Sequence, residues 1–200
     1  MSEIHATGIN LTEELFDSLY PIKLKKLSGT HWTPVEVAKK AISFLGGDET
    51  KAVLDIGSGA GKFCFVAASI STCKITGVEQ RDYLVQISRK LTEKLQLQNL
   101  NFIHDDLQNI DFSHYHSFYF FNSFEENISL KDKLSKDHSI NSTLRDQYIV
   151  LIRQKFEVLP MGTRIVTYCG EASEIPANYH LVKSSNKGKL KFWEKVRDHG

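Results

Sequence analysis

The chain is 200 residues long, 41% hydrophobic and 24% charged, the proportions of a soluble globular protein with a single sizeable core. Its formal net charge of +1 provides no general attraction to nucleic acid or to an acidic membrane, so neither is expected as a partner. No uncharged apolar run approaches the ~20 residues that cross a bilayer, and no basic, apolar leader opens the sequence, which together predict a cytoplasmic location.

Leu11, Leu15 and Leu19 recur at helical spacing before Pro21 and predict a short amphipathic helix. Thr33, Pro34 and Glu36 then form a helix start, with threonine as cap, proline in the first turn and glutamate three residues after the cap. Val35, Ala38, Ile42 and Leu45 give this helix one apolar face, and Gly46 and Gly47 end it. From Lys51 strand and helix alternate: a strand to Ile56, a helix over 62–70, a strand over 75–79, a helix from 82 to about 97, a strand over 101–104 and an aromatic strand over 118–122. That alternation predicts an α/β fold, a parallel sheet with helices on both faces. The polar stretch 125–142 reads as an exposed helical insertion or as part of a substrate lid, and a long helix over 143–159 leads to a fifth strand over 163–169. Segments 179–184 and 189–195, joined by the turn-forming Ser185-Asn186-Lys187-Gly188, read as an antiparallel hairpin. The whole is expected to form one domain, with 1–50 as a helical cap and 51–200 as the core.

The most informative segment is Asp55-Ile56-Gly57-Ser58-Gly59-Ala60-Gly61, where an apolar strand ends in an acid and glycines follow at every second position. Glycine tolerates positive φ and lets main chain approach a ligand without a Cβ in between. A phosphate-binding P-loop is excluded, because Gly61-Lys62 is followed by Phe63 and Ile56 stands where the first glycine is needed. The dinucleotide fingerprint fails as well, because Lys62 takes the place of its third glycine. Asp55 adds an electrostatic objection, since a carboxylate there repels pyrophosphate and suits a ligand carrying an ammonium. A second strand ends at Glu79, roughly the ~20 residues downstream at which such folds grip ribose hydroxyls.

With Asp55 to Gly61 matching Asp-x-Gly-x-Gly-x-Gly position by position, the sequence resembles the class I S-adenosylmethionine-dependent methyltransferases. The resemblance runs from about Thr33 to the C-terminus. It implies a Rossmann-like three-layer sandwich with a seven-stranded, mostly parallel sheet and a C-terminal antiparallel hairpin. It also implies S-adenosyl-L-methionine as cofactor, with Gly57, Ser58, Gly59 and Gly61 beside its methionine part and Asp55 near its amino group. Glu79, followed by Gln80, is implied at the ribose hydroxyls, and Asp106, with Asp105 and Leu107, at the adenine amino group. Asn122-Ser123-Phe124 partly resembles the Asn-Pro-Pro-Tyr/Phe motif of amino-group methyltransferases and the Phe-Asn-x-Phe variants of other members, although serine replaces the first proline and the second is missing. Asn122 is therefore the candidate catalytic residue, also touching cofactor, and His31, Trp32 and Phe124 are candidates for substrate contact. The acceptor expected on this resemblance is an amine, a protein lysine among them.

Each feature also has a plainer reading. Asn122 at a strand end satisfies backbone groups, Thr33 caps a helix, and His114 and His116 sit in a surface loop without further ligands for a metal. His31 and Tyr168 read as structural unless they act as bases. Cys64, Cys73 and Cys169 lack CxxC spacing and read as buried, reduced thiols. Lys187, Lys189, Lys191, Lys195 and Arg197 read as a solvated hairpin face. Two rival functions stand beside the methyltransferase: a non-catalytic S-adenosylmethionine-binding sensor or partner subunit, and a nicotinamide-dependent oxidoreductase that the glycine spacing disfavours. The methyl acceptor and the oligomeric state are not readable from the chain.

Overall fold

Apolar runs bounded by glycine and polar turns become strands, and here seven of them build one sheet. The computed structural model describes residues 12–25, 32–121, 138–170 and 172–197. The strands are β1 (Ala52–Ile56), β2 (Lys74–Glu79), β3 (Leu100–His104), β4 (Ser117–Phe121), β5 (Arg164–Tyr168), β6 (Tyr179–Ser185) and β7 (Leu190–Lys195). Their order is β3-β2-β1-β4-β5-β7-β6, mostly parallel with an antiparallel end, a Rossmann-like sheet flanked by helices. The chain divides into two compact units, Met1–Phe120 and Phe121–Gly200.

In the first unit β1 pairs in parallel with β2 and β4, Asp55 lying opposite Gly77 on one side and Tyr119 on the other. Val53, Leu54, Asp55 and Ile56 are all buried, the pattern of a central parallel strand covered on both faces. Helices α1 (Glu13–Ser18), α2 (Ile22–Lys25), α3 (Val35–Leu45), α4 (Lys62–Ile70) and α5 (Asp82–Leu95) surround these strands in sequence. α3 buries Val35, Ala38, Ile42 and Leu45 on the expected stripe, together with Val37 and Ala41. α5 stops at Leu95, two residues before the expected end, because Gln96 takes a left-handed conformation (φ 53°) and closes the last turn on Thr92 and Glu93 carbonyls.

The expected Thr33 cap does not form. Pro34 occupies the cap position without a side-chain hydrogen bond, while Thr33 Oγ1 pairs with the buried Tyr119 hydroxyl at 2.8 Å. A buried phenol needs a partner, and the start of α3 finds an acceptor elsewhere, so the long-range bond wins. Glu36, the other half of the expected box, instead contacts Lys39 at 2.7 Å. The α3 terminus takes its acceptor from α1, where the Glu13 carboxylate accepts the Val35 N–H.

In the second unit α6 runs from His138 to Glu157, five residues earlier than expected, and ends before Leu159. His138-Ser139-Ile140-Asn141-Ser142 carries no apolar stripe, the signal on which the expected start relied. β7 pairs antiparallel with β5 and β6, with Phe192 opposite Val166 and Trp193 opposite Leu181. The hairpin turn uses left-handed Asn186, Lys187 and Gly188, as its composition predicts. Lys195 is buried with its ammonium on the Glu157 and Leu159 carbonyls, which closes the C-terminal end of α6. Cys64 and Cys73 are buried as expected, whereas Cys169 is exposed, in a left-handed turn (φ 56°) just past β5. Among the described residues no helix is long and apolar enough to cross a membrane, and no group of His, Cys, Asp and Glu could hold a metal ion.

Candidate functional site

The strand order reverses between β1 and β4, and in open parallel sheets such a switch point opens a crevice at the carboxyl ends of the strands. The turn from β1 to α4 lies there. Gly57, Gly59 and Gly61 all adopt positive φ, at 70°, 57° and 82°. Ser58 N–H donates to the Val78 carbonyl at 2.9 Å, tying the turn to β2, and Gly61 N–H closes it on the Ser58 carbonyl at 2.8 Å. The glycines serve two ends. A Cβ on Gly61 would stand 2.5 Å from Phe102 Cζ, so this position lets α4 pack against the sheet, whereas a Cβ on Gly57 or Gly59 would meet nothing within 4 Å among the described residues. The first two glycines therefore border open space, on which a ligand can lie directly against main chain.

Two buried acids flank that space. Asp55 is 3% exposed, and its Oδ2 accepts from the Cys64 thiol at 3.1 Å, a weak donor. Burial pushes its pKa up to about 7, with the Cys64 hydrogen bond opposing and the Glu79 charge reinforcing the rise. Burial and the neighbouring Asp55 likewise push the Cys64 thiol well above its usual range, so it stays a thiol and donates. Glu79 closes β2 and accepts Gly59 N–H at 3.0 Å, which joins the ribose-side candidate to the glycine turn. Its other donors come from Arg81.

The third acidic group follows β3. Asp105 N–H reaches the Glu79 carbonyl at 3.3 Å, and the Asp105 side chain accepts from Asp106 N–H and Asn109, both at 2.7 Å. Those bonds hold the Asp105 carboxyl below its usual range. Asp106 caps the short 3-10 turn Leu107–Asn109 by accepting Gln108 N–H at 3.0 Å. Gln80 presents its carbonyl to His104 at 3.2 Å. The structure thus brings Asp55, Gly57, Ser58, Gly59, Gly61 and Glu79 together and sets Gln80, Asp105, Asp106 and Leu107 at the adjoining strand ends. His31, Asn122 and Phe124 lie outside the described residues. Trp32 lies 4.4 Å, ring to ring, from Tyr20.

Sequence reasoning missed the contribution of α1. Tyr20 donates its hydroxyl to the Ala60 carbonyl at 2.9 Å, inside the glycine turn. Lys62, read above only as a misfit to other glycine motifs, is 3% exposed and held by Glu13 and by Asp17 at 2.9 Å, with the Trp32 ring 5.6 Å away. Glu13 and Asp17 stand four apart on one helical face, a spacing that signals a shared partner without saying which. Lys62→Met is expected to cost about 1–3 kcal/mol, less than a fully buried pair because both acids are partly exposed. Limited proteolysis should show faster cleavage within 12–25; an unchanged rate would separate α1 docking from Lys62.

A family model described as a methyltransferase domain matches residues 48–196. The chain belongs to that family, the class I Rossmann-like S-adenosylmethionine-dependent methyltransferases. Among solved structures the chain is similar to an RNA methyltransferase from Salinibacter ruber in complex with S-adenosyl-L-homocysteine, at 20% identity and TM-score 0.60, covering 84% of this chain and 95% of that one. It is similar also to TrmN from Thermus thermophilus at 15% identity and TM-score 0.61, covering 87% of this chain and about half (52%) of that one. A SAM-dependent methyltransferase from Aquifex aeolicus matches at 16% identity and TM-score 0.52, covering 88% of this chain and 96% of that one. At these identities the likeness is one of fold. No curated protein sequence matches the chain.

The residues present fit the cofactor of this family on three observations. Among the described residues, open space borders Gly57 and Gly59, the Ser58 hydroxyl is buried without a hydrogen-bond partner, and Asp55 is a buried carboxylate whose donor is a thiol rather than a cation. A ligand with an ammonium at Asp55 and hydroxyls at Glu79 suits this set.

Proposed function

We propose that the chain binds S-adenosylmethionine over the Gly57–Gly61 turn and transfers its methyl group to an amine, a protein lysine being one candidate acceptor. The observation that carries the reading is the glycine turn, open above Gly57 and Gly59 and flanked by Asp55 and Glu79. The bound cofactor supplies an electrophilic methyl group on a sulfonium. Asp55 would accept hydrogen bonds from its ammonium and Glu79 from the ribose hydroxyls, with Asp106 and Leu107 on the adenine side. Asn122, next in sequence after β4, is the candidate for orienting the acceptor amine by accepting its hydrogen bond, and Phe124 the candidate for contact with the amine's stem. Trp32 and His31 are the further candidates for contact with the acceptor. Such a displacement asks chiefly for orientation in a water-poor site, and no further charged group is required of these residues. The protein is expected to act in the cytoplasm, on a protein or small-molecule amine.

Calorimetric titration with S-adenosylmethionine, S-adenosylhomocysteine and NAD tests the cofactor. Binding of the first two alone supports the reading; a folded protein that binds neither sinks it. A screen with radiolabelled methyl donor then covers amines, hydroxyls, proteins and RNA, the last because the Salinibacter ruber relative is described as an RNA methyltransferase. On the acceptor so found, Asn122→Ala is expected to lower turnover by roughly 10–100-fold, the scale of one lost positioning contact. Turnover near that of the wild type would remove Asn122 from the chemistry.

A further inference from the structure

The Glu79 carboxylate is fully engaged before any ligand is considered. An ionised carboxylate offers about four lone-pair sites. Oε1 accepts from the Arg81 backbone N–H at 2.9 Å and from Arg81 Nε at 2.8 Å, and Oε2 accepts from Gly59 N–H at 3.0 Å and from Arg81 Nη2 at 3.1 Å. Four donors therefore fill four sites. Two of them are main chain: the Gly59 N–H belongs to the glycine turn, and the Arg81 N–H to the start of α5, so neither can leave without dismantling an element. The other two belong to one guanidinium on a long, flexible stem whose side chain is 36% exposed, against 3% for Glu79. Of the two partners the Arg81 side chain is the more exposed.

A ribose presents two adjacent hydroxyls, a two-point donor of the same kind as the Nε and Nη2 edge of a guanidinium. Resting on the reading of Glu79 as the ribose acceptor, we propose that the Arg81 side chain stands in for the ribose diol, holding Glu79 oriented in the ligand-free protein and swinging into solvent when the diol takes its sites. Arg81 then sets cofactor affinity: every binding event must first break a two-point, charge-assisted contact, which is stronger than the hydration that would otherwise be displaced. The Gly59 and Arg81 main-chain donors keep the carboxylate aimed throughout. Sequence spacing alone contained a hint, since an arginine two residues after the strand-ending acid can fold back on it.

The test is equilibrium binding of S-adenosylhomocysteine to the full chain for the wild type, Arg81→Met and Arg81→Lys, with thermal melts to establish folding. Arg81→Met is expected to bind roughly tenfold more tightly, the scale of one net hydrogen bond to a charged group, and Arg81→Lys, which cannot bridge both oxygens, to fall in between. The gain should be confined to ligands with the diol, so the 2′,3′-dideoxy counterpart of S-adenosylhomocysteine should bind wild type and variant alike. Should Arg81→Met not fold, the lysine variant carries the same comparison. Unchanged or weaker binding in the folded variants, or an equal gain for the dideoxy ligand, would overturn the inference and leave Arg81 as a fixed support of Glu79. Absence of binding by the wild type as well would instead overturn the cofactor reading, and this inference with it.

Discussion

Gly61→Ala is expected to lower the free energy of unfolding by about 2–5 kcal/mol, the sum of a left-handed backbone forced on a residue with a Cβ and of overpacking against a rigid ring. The added carbon would lie 2.5 Å from Phe102 Cζ and 2.8 Å from Cε1. Phe102 has little room to yield, being 2% exposed, set 5.6 Å ring to ring from Phe65, and fixed at its carbonyl by Arg89. Gly59→Ala provides the control. Its φ of 57° brings the same backbone strain, but none of the described residues lies within 4 Å of the new carbon, so about 1–2 kcal/mol is expected. Urea unfolding of both variants measures the difference, and equal losses would mean that Phe102 moves aside. Cofactor binding should sort the pair the opposite way: Gly59→Ala places its methyl in the space assigned to the ligand and should weaken binding in a protein that remains largely folded.

A second large effect is expected in the pH dependence of stability. Burial lifts the Asp55 pKa to about 7, against partial compensation from the Cys64 thiol and with support from the Glu79 charge. The unfolded chain loses this proton near the ordinary carboxylate value of about 4. Between those two pH values the folded state holds one proton more than the unfolded state, so the unfolding free energy falls as pH rises. Below about pH 4 the contribution is flat, and above about pH 7 the full cost, roughly 4 kcal/mol, is present. Asp55→Asn removes the titrating group, so the variant should be more stable than the wild type at pH 8 and should lack this part of the slope. Urea unfolding at intervals from pH 4.5 to 8 gives the comparison; parallel profiles would show that Asp55 is ionised in the folded protein throughout. The Glu79 carboxylate at the neighbouring strand end is paired with Arg81.

These two results draw on different layers of the molecule. Local pattern made the elements of the first unit legible: α4 spans 62–70 as read, β2 ends at Glu79, and the glycines at 57, 59 and 61 all take positive φ. Periodicity of 2 and 3.6, and glycine where the main chain must turn, are properties of neighbours in sequence. The family followed from the same stretch, because acid and glycines at fixed offsets depend on one strand-to-helix turn. Signals of this kind failed where the stretch had no stripe, at the start of α6, and where a distant group outbid a local one, at Thr33.

What only the tertiary structure decided are the pairings between residues far apart in the chain. Thr33 meets Tyr119 across 86 positions, Lys62 meets Glu13 and Asp17 across 49 and 45, and Tyr20 meets Ala60 across 40. Phe102 lies over both Gly61 and Gly77, which is why one glycine ends the turn and another interrupts a strand. Residue type and spacing specify which groups need partners, but the choice of partner is made by sheet order and helix packing, which place strand ends side by side regardless of their separation in sequence. So the sequence determined that acids and glycines would gather at the carboxyl ends of parallel strands, and the packed structure determined that Thr33 would meet Tyr119 and Lys62 the two acids of α1.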